Sequence, residues 1–140
     1  MKKTLIVGTV AFDEIETPKE SSGKILGGAA TYIGLSSAIF DSKASIISVV
    51  GGDFDQKHLD LLNSKGLDTS SIEIITKGKT FYWKGKYHKD WNKRDTLNTQ
   101  LNVLADFNPI LNKHNSSAEI IVLGNLHPVV QSTVLNQISS

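Results

Sequence analysis

The sequence predicts a parallel α/β sheet with a small antiparallel β flap standing off it. Three observations carry that prediction. Thr4 to Val10, Ala44 to Val50 and Glu119 to Asn125 are apolar runs with the pattern of strands buried on both faces. Helical segments separate them, as parallel strands joined by right-handed crossovers require. Finally, Phe81, Tyr82, Trp83 and Tyr87 concentrate aromatic side chains in one stretch of a chain with only 7% aromatic residues. That stretch does not fit inside such a sheet.

Composition narrows the function classes. A chain of 140 residues with 39% hydrophobic and 21% charged residues is expected to form one soluble domain. A net charge of +1 leaves no electrostatic footprint for nucleic acid or a membrane surface. Arg94 is the lone arginine, so bidentate phosphate clamps are scarce. The chain has no cysteine, which removes disulfides and thiolate metal sites and fits a reducing cytoplasm. The apolar run after Met1-Lys2-Lys3 is broken at Gly8, too early for a signal sequence or a membrane span.

In chain order, Thr4 to Val10 is the first buried strand. Phe12 to Thr17, carrying Asp13, Glu14 and Glu16, reads as a more exposed strand. Pro18 to Gly23 is a turn, and Lys24-Ile25-Leu26 a short returning strand. Gly27-Gly28 then opens a helix from Ala29 to Phe40, with Ile33, Leu35, Ala38 and Ile39 available to its buried side. After the second buried strand comes Gly51-Gly52-Asp53. Asp55 is placed to cap a helix running through Lys65, with Gly66 in the stop position. Ile72 to Thr76 is a further β-branched run. Thr80 to Trp83 and Lys86 to Lys89 flank Lys84-Gly85 and read as a β-hairpin. Leu101 to Phe107 fits a strand or a short helix equally. The third buried strand follows, and Pro128 starts a closing helix with Val129, Val130, Val134, Leu135 and Ile138 as its apolar stripe.

Ligands of open α/β sheets collect at the carboxyl ends of the strands. This sequence places Asp13, Gly51-Gly52-Asp53, Asn125 and His127 just beyond strand ends, and the glycine pair opens a helix on the same rim. A helix starting on bare backbone offers unpaired N–H groups and the positive end of its dipole. A carboxylate such as Asp13 has two acceptor oxygens, a match for two neighbouring sugar hydroxyls; position alone also allows a solvated turn residue. Asp53 reads as fixing a turn or capping a helix. His58, His88, His114 and His127 lack metal-ligand spacing, so no metal site is expected. Gly8-Thr9-Val10-Ala11 lacks the GxGxxG dinucleotide spacing, and no GxxxxGK[ST] loop occurs. Asn115-Ser116-Ser117 is a glycosylation sequon by pattern only.

As an ordered set, these segments resemble the ribokinase-like, PfkB-type carbohydrate kinase family. The likeness rests on Gly8-Thr9-Val10-Ala11-Phe12-Asp13, Gly27-Gly28-Ala29-Ala30, Ile46 to Asp53, Lys65-Gly66-Leu67-Asp68 and Lys79-Thr80-Phe81. It implies a ribokinase-like three-layer α/β/α parallel sheet with a small antiparallel β lid, residues 1–140 forming the N-terminal part of one domain. The lid segments would be about 11–26 and 78–100. It also implies transfer of the γ-phosphoryl group of ATP, with Mg2+, to a hydroxyl of a small-molecule sugar or nucleoside.

By the same resemblance, the substrate-binding residues are Asp13, Gly27, Gly28, Thr31, Phe81, Trp83 and Asn125. Asp13 is the carboxylate at the lid base that grips hydroxyls, and the two glycines are the hinge whose backbone meets the sugar. Phe81 and Trp83 would cover the substrate, and Asn125 would add a further contact. Tyr32 stands where many members carry asparagine, and Ala29 where some carry a polar residue, so substrate preference does not transfer. The family's Gly-Ala-Gly-Asp motif, which holds the general base, does not occur in this sequence. The expectation is therefore the substrate-binding half of a cytoplasmic kinase, with the C-terminal half missing and the 140-residue chain inactive by itself. The other reading is a non-catalytic sugar-binding or dimerisation module, with the lid as a homodimer surface.

Overall fold

A computed structural model describes residues 2–40 and 43–139. In chain order the elements are β1 (Thr4–Val7), β2 (Ala11–Glu16), β3 (Ser21–Gly27), α1 (Ala29–Ala38), β4 (Ala44–Gly51), α2 (Gln56–Ser64) and β5 (Ile72–Ile75). They continue with β6 (Tyr82–Tyr87), β7 (Arg94–Gln100), a 3-10 turn (Asn102–Asp106), α3 (Lys113–Ser116), β8 (Ile120–Leu123) and α4 (Pro128–Leu135). The strands form two four-stranded sheets, ordered β5-β4-β1-β8 and β3-β2-β6-β7. Every pairing in the first sheet is parallel.

Strand alternation divides the first sheet's side chains between two cores. Ile6, Ile46 and Val50 face one side, where Leu59 and Leu62 of α2 join Ala30 of α1. Leu5, Val7, Ile47 and Val49 face the other, against Phe107, Leu126 and Val134. Helices therefore cover both faces, and the three-layer expectation holds.

The first helix reaches the sheet through its small residues. Ala30, Thr31 and Gly34 are its buried positions, and a Cβ at Gly34 would come within 2.9 Å of Leu67 Cδ1. Close approach of backbone to sheet thus replaces the larger side chains expected there. Ile33 and Leu35 pack only at the margin, while Ile39 lies beyond the helix end and is 80% exposed. The second helix follows expectation more closely. Asp55 accepts the Lys57 N–H at 3.0 Å, and Gly66 takes the left-handed φ of 84° that ends the helix. In α4, Val134 is buried, but Val129 and Leu135 of the expected stripe are largely exposed.

The second sheet corrects the hairpin. β6 runs straight through Lys84-Gly85, and its antiparallel partner is β7, a polar stretch with no strand pattern. Gly85 is not a turn residue. A Cβ there would overlap the indole of Trp83, so glycine gives that ring room to lie along the strand. The two outer pairings, β2 with β3 and β6 with β7, are antiparallel, and the central pairing of β2 with β6 is parallel. That central pairing sets Lys84 opposite Glu14, and the ammonium bridges Glu14 and Glu16 at 3.0 and 2.7 Å. The hydrogen bonds it donates to Glu16 and Glu14 hold Lys84 charged well above the usual lysine range.

Two further sequence features become clear. Leu101 to Phe107 contains the 3-10 turn rather than a strand. Asn115 of the sequon is buried, 2% exposed, and its amide donates to Ser71 Oγ at 2.7 Å, so the folded chain does not present it.

Asp53 and Thr80 fasten the two sheets. Asp53 Oδ1 accepts from the Thr80 N–H at 2.8 Å and from its hydroxyl at 2.7 Å. Thr80 Oγ1 in turn accepts the Gly51 N–H at 3.0 Å. Asp53 therefore fixes a turn, as its position implied. Thr80→Val keeps the side-chain shape but leaves the buried Gly51 N–H unpaired and removes one of the two hydrogen bonds that Asp53 Oδ1 accepts. It should cost about 1–3 kcal/mol, read as a lower urea midpoint with an unchanged slope.

Candidate functional site

The site is built around the crossing from β1 to β2. Thr9 lies on that crossing and is 2% exposed. Its hydroxyl donates to Asn125 Oδ1 at 3.0 Å, and its N–H reaches the same oxygen at 3.4 Å. The first backbone donors of α1 also end on Thr9: Ala29 N–H on its Oγ1 at 3.0 Å and Ala30 N–H on its carbonyl at 2.9 Å. The expected bare helix start is thus corrected. Its first N–H groups are capped by a threonine twenty residues away, which no local capping pattern reveals.

Gly28 is forced into place by this packing. It has a φ of 94°, and a Cβ there would overlap the Thr9 carbonyl. Either fact alone selects glycine. Gly27 is selected differently, because a Cβ there would overlap the Asp13 carboxyl group. The aspartate at the foot of the second sheet therefore lies directly against the glycine pair.

Asp13 is half-buried. Loss of water raises its pKa above the ordinary aspartate value, and hydrogen bonding by the Gly28 N–H opposes that rise. By register, Ile25, Asp13, Trp83 and Thr99 form one row across the second sheet, on one face of it. Phe81, two residues before Trp83, lines a cleft of about 390 Å3 with Thr9, Thr99, Leu104, Asn125 and His127. The backbone ties Phe81 to the Asp13 strand, because the Phe12 N–H donates to the Phe81 carbonyl at 2.9 Å. On the other side of β2, the Phe12 ring packs on Phe54 and His58 with centroids 5.5 and 5.7 Å away.

The fold recurs in solved structures. A nucleoside kinase of Methanocaldococcus jannaschii, described as an archaeal member of the ribokinase family, superposes with a TM-score of 0.79 at 19% identity. The match covers 98% of this chain and 49% of that one. The fold is ribokinase-like. A Burkholderia thailandensis nucleoside kinase in complex with inosine matches with a TM-score of 0.64 at 20% identity, over 72% of this chain and 36% of that one. In sequence, the chain is 31% identical over 90 residues to a cytidine kinase of Thermococcus kodakarensis, covering 64% of this chain and 32% of the relative. No family model matches. The resemblance read from the sequence is borne out, over about a third of the curated relative and half of the M. jannaschii structure.

Within the ribokinase-like frame, the sequence-derived residues separate into groups. Asp13, Gly27 and Gly28 meet at one corner, while Phe81 and Asn125 share the cleft. Trp83 is on the same sheet face but outside the cleft lining. Its indole N–H donates to Thr96 Oγ1 at 3.2 Å, and the Arg94 guanidinium lies 5.0 Å from its ring centroid. Thr31 is corrected: it is 1% exposed and its hydroxyl donates to the Gly27 carbonyl at 2.8 Å. It holds the glycine pair from behind and has no surface to offer a ligand. Thr9 is the residue that sequence reasoning missed; its position after the first strand was the available signal. The described residues contain no group of three or more His, Asp or Glu side chains arranged to hold a metal ion.

Because burial raises the Asp13 pKa, its charged form is disfavoured by folding, and that cost is present above the folded pKa and relieved as pH falls. Asp13→Asn should therefore raise the melting temperature of the empty protein at pH 7. The gain should shrink as pH is lowered and vanish below about 4. Thermal denaturation of both forms across that range checks the sign.

Proposed function

We propose that this chain is the substrate-binding part of an ATP-dependent, PfkB-type phosphotransferase whose acceptor is a hydroxyl of a nucleoside or sugar. The observation that carries this reading is the Asp13 carboxylate, partly stripped of water and set against Gly27 and Gly28. A half-buried carboxylate with no salt-bridge partner among the described residues is suited to grip two hydroxyls of one sugar ring. The kinase names of the relatives, with cytidine and inosine among them, support the same reading.

Each remaining residue has a role in it. The backbone at Gly27 and Gly28 meets the sugar where no side chain intervenes. Phe81 supplies an apolar wall over the bound molecule, and Asn125 a polar contact across the cleft. Trp83, farther along the same face, extends the cover. The second sheet, about residues 11–26 and 78–100, acts as a lid that keeps water from the transferring phosphoryl group. A nucleoside fits better than a bare sugar, because Phe81, Leu101, Leu104 and Leu126 give the cleft more apolar wall than a pentose needs.

ATP and Mg2+ belong to the proposal through the kinase resemblance. The described residues offer no metal-binding cluster, and the sequence has no phosphate-cradling loop, so no step is assigned here to either group. Nor does the sequence contain the Gly-Ala-Gly-Asp segment that would supply the general base. We read the 140-residue chain as binding substrate in the cytoplasm without turning it over alone. A second reading, a non-catalytic binding or dimerisation module, is favoured by one observation: β7, at the edge of the second sheet, is exposed along its whole length.

Phosphate transfer from labelled ATP to a nucleoside and sugar panel, using the intact gene product, separates the two. Transfer supports the kinase, and binding without transfer supports the module. Within the kinase reading, Asp13→Ala should weaken nucleoside binding roughly 10- to 100-fold, the loss of charge-assisted hydrogen bonds. ATP affinity should be unchanged. Calorimetric titration of each ligand measures both, and an unaltered nucleoside affinity would retire Asp13 from the role.

A further inference from the structure

One cleft residue stands outside the proposed sugar-gripping site. His127 lines the cleft beside Asn125 and also caps α4. Pro128, at the start of that helix, has no N–H, so Val129 carries the first backbone donor, and it donates to His127 Nδ1 at 3.2 Å. A ring nitrogen that accepts a hydrogen bond carries no proton, so the neutral imidazole holds its proton on Nε2. Among the described residues, Nε2 has no hydrogen-bond partner.

Asn125 is biased the same way. Its Oδ1 is occupied by the Thr9 N–H and hydroxyl, and among the described residues its amide hydrogens have no partner. Two residues apart, both side chains are converted into donors by bonds made elsewhere. Sugar hydroxyls, which both give and accept, already have the Asp13 carboxylate. A pair of donors beside the Phe81 wall complements a flat ring with acceptors on its edge.

We infer that His127 is a specificity-determining residue whose Nε2–H, with the Asn125 amide, reads the acceptor edge of a nucleobase. Cytidine, with O2 and N3 adjacent, is the probe that matches two donors. This inference rests on the substrate-site reading given above and adds the residue that tells a nucleoside from a free sugar.

The test titrates cytidine and ribose into the intact gene product and its variants. His127→Asn keeps a favoured helix cap but shortens the side chain, and His127→Gln restores reach with an amide donor. His127→Asn should weaken cytidine about tenfold and leave ribose unchanged, and His127→Gln should recover most of the loss. Cytidine affinity unaltered in His127→Asn, or cytidine and ribose weakened alike, overturns the inference and leaves His127 as a helix cap only. Asp13→Ala, run in parallel, separates the two levels. Loss of cytidine in Asp13→Ala with none in the His127 variants removes this inference and keeps the substrate site. No cytidine loss in Asp13→Ala, or no binding by the unaltered protein, removes both. Nitrogen-detected NMR of the imidazole should show the Nε2–H form in the free protein, with the Nε2 resonance shifting on addition of cytidine. A ring protonated on Nδ1 would contradict the premise.

Discussion

Thr9 is the joint on which the candidate site depends. It is a small residue without charge, buried between two strands, and every polar atom it has is engaged. Through those bonds it sets the start of α1, the position of Asn125 beyond β8, and the path from the first sheet to the second. A buried threonine with one unused donor or acceptor would be costly. The three partners are therefore fixed together, and the glycine pair is fixed with them, because Gly28 presses against the Thr9 carbonyl.

The corner at Asp13 shows the opposite economy. Structural carboxylates in this molecule are held by donors: Asp53 by Thr80, Asp55 by the start of α2, Glu14 by Tyr82 and Lys84. Asp13 is instead pushed toward its neutral form by lost water, and among the described residues the Gly28 N–H is the hydrogen bond that opposes this. An arrangement that disfavours its own charged group contributes nothing to stability. It is the kind of local inconsistency expected where a ligand, rather than the fold, completes the hydrogen bonding.

How far the sequence could be read follows from how local each signal is. The three buried strands of the first sheet, the Asp55 cap and the Gly66 stop depend on residues within one turn or one strand, and they were legible, while β5 showed only as a β-branched run. The Asp13 corner was legible because Gly27 and Gly28 are unusual together. The second sheet was not, for two physical reasons. Gly85 stands in a strand to make room for the Trp83 ring, which imitates a turn in sequence. β7 is exposed throughout, so no burial imposed an alternating pattern on it. The capping of α1 by Thr9 and the burial of Thr31 are long-range facts with no local trace. His127 was visible as a histidine after a strand, but its tautomer depends on the Val129 N–H, which only the folded chain supplies.

The site's residues come from both sheets, and this division sets what a ligand must do. Asp13, Phe81 and Trp83 belong to the second sheet or its approach, while Thr9, Asn125 and His127 belong to the rim of the first. The fastenings between them include the Asp53–Thr80 pair, the Gly51 N–H on Thr80 Oγ1, the Gly52 N–H on the Gly78 carbonyl, and the packing of Phe12 on Phe54 and His58. All lie at the foot of the second sheet. Toward its far end, the sheet is held by its own pairings and by the Lys84 bridge to Glu14 and Glu16. A molecule gripped by the Asp13 carboxylate on one side and the Asn125 and His127 donors on the other would add a further link between the sheets, beyond the fastenings at the foot. Ligand binding and the relative position of the two sheets are then one equilibrium.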